Sequence, residues 1–315
     1  MHFISKQIMR WLVAGINVFL PAERAHALER WRRGRDEYRK HKRCEYVFVS
    51  YGKSGRTWLR VMISRYYQQV YNIPERILMG FDNYHNIDAA IPRIFYTHDT
   101  YLSRYTGHSD SKQDFYDKKT ILLVRRPQDV AVSQFFQWKY RMRPAKMAMN
   151  AYPPAGTDLS VYDFVMESEV GLPCIIDYMN SWAEALPRIK NLLLVRYEDV
   201  RADPETQLAR MIEFLGLTPD PDHLRNAVEF SSVENMRKME KENYWRNNDR
   251  VKARDPKNPH SYKVRRAKVG GYRDYFDDEQ LEAIDSLVDS RLSDVFGYRS
   301  EPAPGTVEQV ADSRA

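Results

Sequence analysis

The sequence predicts an α/β fold: a P-loop-like parallel β-sheet flanked by helices on both faces, in a single domain. Three observations predict it. The strand candidates are short continuous apolar runs, which suit strands buried on both faces. Each is followed by a stretch with helical periodicity. A small-residue loop joins the first strand candidate to the first helix of the body.

The elements follow in order. Tyr46–Ser50 (YVFVS) reads as a strand, and Thr57–Val70 as the helix after the loop. Arg93–Thr97 (RIFYT) is a second strand candidate. Thr120–Val124 (TILLV) is a buried strand, and Pro127 opens the next helix. Leu192–Arg196 (LLLVR) is a further buried strand. Asp203-Pro204-Glu205 then starts a helix that ends near Gly216. Helical patterns recur around Tyr162–Ser168, Asp177–Leu186, Asp222–Glu229 and Glu279–Leu292. Residues 140–160 and 244–268 read as long irregular loops, more often lids than connections. Residues 300–315 lack apolar periodicity and read as a disordered tail.

The chain has 315 residues and a net charge of +6, distributed unevenly. Residues 1–43 hold eleven Lys/Arg against four Asp/Glu, a charge of +7, so residues 44–315 sum to −1. The basic excess belongs to an N-terminal extension and not to the body. A nucleic-acid-binding body would carry its own excess, so no nucleic-acid partner is expected. Two cysteines, Cys44 and Cys174, make no disulfide framework, and no Cys/His cluster has metal-ligand spacing. A reducing, cytoplasmic compartment and no metal are expected.

Within residues 1–43, the stretch 3–20 is an amphipathic helix candidate, with Ile4, Ile8, Trp11, Leu12, Ile16 and Phe19 on one face. It is too short to span a bilayer. A helix docked on the body, a helix in a membrane interface and a cleaved leader all fit. Docking on the body comes first; the basic segment Arg24–Arg43 supports the second reading, peripheral contact of residues 3–43 with an anionic surface at the inner face of a membrane.

The sharpest local signal is Gly52-Lys53-Ser54-Gly55-Arg56-Thr57-Trp58, between a strand and a helix. Small residues let backbone N–H groups close around a phosphate. The helix N-terminus and the lysine add positive charge. A nucleoside-triphosphate loop needs a glycine five positions before the Gly-Lys pair. Val47 stands there, inside the strand, so the loop suits a single 5′-phosphate better. A tight turn with a solvated lysine is the bland alternative. The second constellation is Arg125 through Ser133. An arginine at the C-terminal end of a buried strand sits where open α/β sheets bind ligands. Ser133 follows two turns into the helix. A sheet-edge ion pair is the bland reading of Arg125.

At these residues the chain resembles the nucleotide-dependent sulfotransferases, which use 3′-phosphoadenosine 5′-phosphosulfate (PAPS) as donor. Lys53 through Trp58 looks like the family's 5′-phosphosulfate loop, and Arg125 through Ser133 like its 3′-phosphate segment. Arg196-Tyr197-Glu198-Asp199 resembles a strand end whose tyrosine faces the adenine. Arg265-Arg266-Ala267-Lys268-Val269-Gly270 resembles the loop that closes over the 3′-phosphate. The resemblance runs over residues 45–298, within a sulfotransferase domain of residues 44–299.

The resemblance implies roles. Lys53 would neutralise the bridging oxygen as the sulfuryl group leaves. Ser54, Gly55, Arg56 and Thr57 would hold the 5′-phosphate, and Trp58 would stack on adenine. Arg125, Ser133 and Arg265 would hold the 3′-phosphate, Arg266 and Ala267 would add contacts, and Tyr197 would reach the adenine. Transfer to an alcohol needs a base for the hydroxyl proton. Of eight histidines, only His98 follows a strand candidate toward the same sheet edge. Position alone leaves a structural histidine open; the resemblance implies a base, with His85 in reserve.

The chain also departs from the family pattern. Arg56 replaces a small hydroxyl residue, Asp99 follows His98 where an apolar residue is common, Ala267 replaces a glycine and Tyr272 a tryptophan. Asp99 would orient His98, raise its pKa or serve as the base. The acceptor expected is a hydroxyl of a glycan, glycolipid or small molecule. An ATP-dependent kinase and a noncatalytic membrane scaffold are the rivals. The kinase lacks the glycine and an acidic metal ligand at a strand end, and the scaffold leaves Lys53, His98 and Arg125 without a task.

Overall fold

A computed structural model describes residues 20–166, 169–245, 251–255 and 257–299. The helix expected at 3–20 and the tail at 300–315 lie outside the described residues. Four parallel strands form one sheet: β1 (Tyr46–Ser50), β2 (Ile94–Thr97), β3 (Lys119–Val124) and β4 (Asn191–Arg196), in the order β2-β1-β3-β4. Val47 pairs with Phe95 on one side and Thr120 on the other, and Ile121 pairs with Leu193.

Alternation along the strands divides the core into two layers. Val47, Val49, Phe95, Leu122 and Val124 face helices Pro127–Arg141, Val161–Met166, Leu172–Ala185 and Asp278–Arg291. Tyr46, Phe48, Ile94, Ile121, Leu123 and Val195 face helices Arg56–Val70, Pro204–Phe214 and Pro221–Phe230. Each fully buried aliphatic side chain contributes about 1.5–3 kcal/mol. The β4 run is only half-buried at Leu192, Leu193 and Leu194, because the strand lies at the sheet edge. Its reading as a buried strand is corrected to that extent.

Helix starts follow local chemistry. Asp203 caps Pro204–Phe214 by accepting from the Thr206 N–H, and Asp220 caps Pro221–Phe230. Asp277 and Gln280 form a reciprocal capping box at Asp278–Arg291. Residues 140–160 are less irregular than expected: Pro144–Met149 forms a short helix there. The helix Val233–Glu242 was not read from the sequence. Its signals were the Ser232 cap and the buried pair Met236 and Met239.

The basic segment does more than trail from the body. Ala22–Arg43, here α1, is one continuous helix packed against it. A Cβ at Gly34 would meet Tyr105 Cβ at 2.5 Å and the Tyr101 carbonyl at 2.6 Å, so only glycine permits this approach. His41 Nε2 lies 2.7 Å from the Asp114 carbonyl, and its ring meets Phe95 and Phe115 edge-on. Glu37 accepts from the Leu102 N–H at 3.0 Å.

Candidate active site

One cavity of 1040 Å³ opens where the C-terminal ends of all four strands meet their following segments. It is lined by Lys53, Gly55, Arg56, Thr57 and Trp58 after β1, and by His98 after β2. Arg125 and Ser133 follow β3, Tyr197 follows β4, and Arg265, Arg266 and Ala267 complete the lining. Of the expected donor-site residues, Ser54 alone is not in the lining; it is buried beneath the loop.

The loop between β1 and α2 (Arg56–Val70) is set by backbone conformation. Lys53 has φ 72° and Gly55 φ 99°, both left-handed. A Cβ at Gly55 would meet the Tyr197 ring at 2.6 Å, so the tyrosine packs where a side chain would stand. The Tyr197 ring meets Trp58 edge-on at 5.7 Å, and the Arg125 guanidinium lies 4.3 Å over it. Trp58 Nε1 donates to the Ser231 carbonyl at 2.9 Å. Thus Gly55, Trp58, Arg125 and Tyr197, from four separate segments, form one wall.

Arg125 donates to the Lys53 carbonyl at 3.1 Å and to the Lys268 carbonyl at 3.4 Å, so it ties the first loop to the last. Its Nε is buried without a partner. Burial pushes the Lys53 amine down to about 7, helped by the nearby Arg141, Arg125 and Arg265. Four cations meet two carboxylates there, Glu240 on Arg141 and Asp129 on Arg125, so positive charge is in excess and favours an anion. A guanidinium nitrogen without a partner among the described residues and a lysine whose amine is held down suit a phosphorylated ligand.

Two carboxylates missed in the sequence hold the closing loop. Asp129 accepts from the Gly270 N–H at 2.9 Å and the Tyr272 N–H at 3.0 Å. Its only signal was its place four residues after Arg125 in a helix start. Glu240 accepts from Arg141 at 2.8 Å and from the Val264 N–H at 3.1 Å. Residues 265–268 are therefore pinned at both ends. Between them Arg265 stacks 3.8 Å over Phe136, Arg266 donates to the Tyr275 hydroxyl at 3.3 Å, and Ala267 has φ 54°.

His98 lies on the opposite wall. Its Nδ1 is 2.7 Å from the Ser50 carbonyl. That carbonyl only accepts, so Nδ1 carries the proton and Nε2 the lone pair. Nε2 is 2.7 Å from an Arg56 guanidinium nitrogen. Arg56 also donates to the Thr97 carbonyl. Burial first, and Arg56 second, hold the His98 pKa well below the usual imidazole range.

Asp99 does not orient His98 or raise its pKa. Its carboxylate accepts from Lys112 Nζ at 2.8 Å, with its pKa pushed up to about 6 by burial. His85 meets the Ile91 carbonyl at 2.8 Å and does not line the cavity. Two further lining residues were unreadable from sequence: Arg33 and Glu37, both from α1. Among the described residues, no group of three His, Cys, Asp or Glu is placed to hold a metal ion.

The sulfotransferase domain profile matches residues 45–296. The chain belongs to the sulfotransferase domain family. This sulfotransferase is 23% identical to human sulfotransferase 2A1, over 80% of the chain and 85% of that protein. It is 22% identical to cytosolic sulfotransferase 3 of Arabidopsis thaliana, over 79% and 77%. An alignment with mouse sulfotransferase 2A1 is 26% identical and spans 61% of that protein. Two solved structures share the fold. One is mouse sulfotransferase SULT7A1 complexed with PAP: TM-score 0.54, 23% identity, 80% of this chain and 86% of that one. The other is retinol dehydratase with androsterone and inactive cofactor PAP: TM-score 0.52, 19% identity, 82% and 83%. Family membership removes the kinase and scaffold readings of the body.

Proposed function

We propose that this sulfotransferase moves the sulfuryl group of PAPS to an acceptor hydroxyl, with Lys53 and His98 as its catalytic residues. The observation that carries the reading is the meeting of the 52–58 loop, Arg125, Ser133 and the pinned 265–268 loop in one cavity, with His98 across from them. The PAP in the two related structures supports the choice of donor.

The bisphosphate end would rest on the wall of Gly55, Trp58, Arg125 and Tyr197. The N-terminal end of α2 carries the positive end of the helix dipole and favours an anion there. Ser133 and Arg265 supply further donors for the 3′-phosphate. In the transfer step the acceptor oxygen bonds to sulfur, and its proton passes to His98 Nε2. The S–O bond to the 5′-phosphate breaks, and its electron pair leaves with the phosphate. Charge spreads over three sulfuryl oxygens, as in phosphoryl transfer. Lys53, half-charged near neutrality when the site is open, becomes fully charged beside the anion and stabilises the leaving oxygen.

The acceptor enters past Tyr101, Tyr152, Tyr178, Arg33 and Lys146. Aromatic faces beside charged groups favour a glycan, glycolipid or other polyhydroxylated acceptor. A cytoplasmic location accords with relatives named cytosolic sulfotransferases. Peripheral membrane contact would use the outward Trp31, Arg39, Lys42 and Arg43 of α1. Loss of co-sedimentation with anionic vesicles in a charge-reversed α1 tests that contact.

The experiment for the reaction is transfer from sulfur-labelled PAPS to a panel of glycans, glycolipids and small alcohols. Label in an acceptor, abolished in His98→Ala, is the expected result. Transfer surviving in His98→Ala removes His98 as the base, and no transfer to any hydroxyl compound contradicts the reading.

A further inference from the structure

We infer that Arg56 is a positioning residue that holds His98 closed until the sulfuryl donor binds. The inference rests on the donor reading above. It begins with a conflict inside the site. The only lone pair His98 can offer is on Nε2, because Nδ1–H is given to the Ser50 carbonyl. That lone pair is already engaged by Arg56 at 2.7 Å. An acceptor hydroxyl cannot pass its proton to an occupied nitrogen.

The same guanidinium also sits at an unfavourable helix end. Arg56 is the first residue of α2, so it puts a cation at the positive end of a helix. Lys146 and Lys263 also face His98, from the helix Pro144–Met149 and from the segment before Arg265. Glu37 of α1 lies near enough to act on Arg56, but burial pushes its pKa up to about 7. The Asp99 carboxylate is committed to Lys112. The Ser50 and Thr97 carbonyls at the ends of β1 and β2 complete the surroundings. Among the described residues, the groups that act on His98 and Arg56 thus include no dianion.

A 5′-phosphosulfate at the 52–58 loop would supply one. A guanidinium binds an anionic phosphate in a bidentate, charge-assisted way, more strongly than a neutral imidazole. Arg56 adjoins Gly55 in that loop, so the donor competes directly for it. When the donor takes the fork, Nε2 is released toward the acceptor. The base then exists only in the donor-loaded enzyme, and the donor binds before the acceptor.

The test is the titration of the His98 ring nitrogens by NMR in the full chain, with the signal assigned by its loss in His98→Asn. It is run on wild type and Arg56→Thr, each free and with adenosine 3′,5′-bisphosphate. Free Arg56→Thr should titrate at least about one pH unit above free wild type. Bisphosphate should raise the wild-type midpoint by a similar amount and the Arg56→Thr midpoint by less than about half of it. Equal shifts in both proteins mean that ligand charge acts without Arg56 moving, and overturn the inference. So does a wild-type midpoint that bound bisphosphate leaves unmoved. If calorimetry finds no bisphosphate binding, the donor reading fails and the donor-driven release with it. The upward shift in free Arg56→Thr would still report the Arg56–His98 contact. Should Arg56→Thr not fold, Arg56→Lys, whose single ammonium cannot bridge Thr97 and His98 as a fork, is read in the same way.

Discussion

The two ends of the cavity are built by different means. The end proposed for the donor is built from backbone at strand ends: left-handed Lys53 and Gly55, the start of α2, and a closing loop pinned by Asp129 and Glu240. The end proposed for the acceptor is built from side chains of segments far apart in sequence, including α1, 99–104, 146–152 and 174–178. A phosphate site needs a fixed local conformation, so its residues cluster in short motifs. An acceptor site needs shape, and shape comes from tertiary packing.

The largest effect expected is at the acceptor end. Deleting residues 1–43 removes α1, uncovers Phe95 and Phe115, and takes Arg33 and Glu37 from the cavity. The truncated protein should melt at lower temperature and lose transfer, as read by calorimetry and label incorporation. Unchanged turnover would break the comparison, because α1 would then be dispensable to the acceptor end. The sequence set residues 1–43 apart as an extension by their charge; the structure packs residues 22–43 of it against the body.

Lys53→Ala should come next. Loss of a cation at the leaving oxygen costs roughly 10²–10³-fold in kcat, about 3–4 kcal/mol. Single-turnover transfer should show it, with a smaller loss of bisphosphate affinity. Arg125→Ala should weaken bisphosphate binding about 10–100-fold, from charge-assisted hydrogen bonds of about 1.5–3 kcal/mol. Asp129→Ala should raise the donor KM more than it lowers kcat, because it frees the 270–272 turn and touches no reacting atom.

A pH series sharpens the electrostatic side. Lys53 stands at about 7 in the open site, and a bound anion raises it. Binding between those two values takes up a proton, so affinity is greatest when the amine is already charged. Bisphosphate affinity should therefore fall as pH rises from about 7 to about 9, by at most about tenfold per unit, and the slope should vanish in Lys53→Met. The smallest effect concerns Glu37, whose raised pKa of about 7 favours its neutral form in the fold. Its contribution is present below the unfolded carboxyl value and lost as pH rises toward 7. Glu37→Gln should therefore gain roughly 2–4 °C in Tm over wild type at high pH and little at low pH.

The sequence made the donor end readable because Lys53, Gly55, Arg125 and Ser133 lie in contiguous segments at apolar strand ends. The four strands were readable for the same reason, although Leu192–Leu194 belong to an edge. Asp129 and Glu240 were not readable, because their partners are backbone N–H groups more than twenty residues away. Arg56 was seen as a departure from the family pattern, but its contact with His98 is made only when β1 and β2 lie side by side. Arg33 and Glu37 were hidden because charge alone marked their helix as something apart.

The most direct test of the central claim is calorimetric titration with adenosine 3′,5′-bisphosphate beside ATP and magnesium, in wild type, Lys53→Ala, Arg125→Ala and His98→Ala. The account predicts selective bisphosphate binding that Arg125→Ala weakens and His98→Ala retains. Binding of ATP and magnesium alone would contradict it.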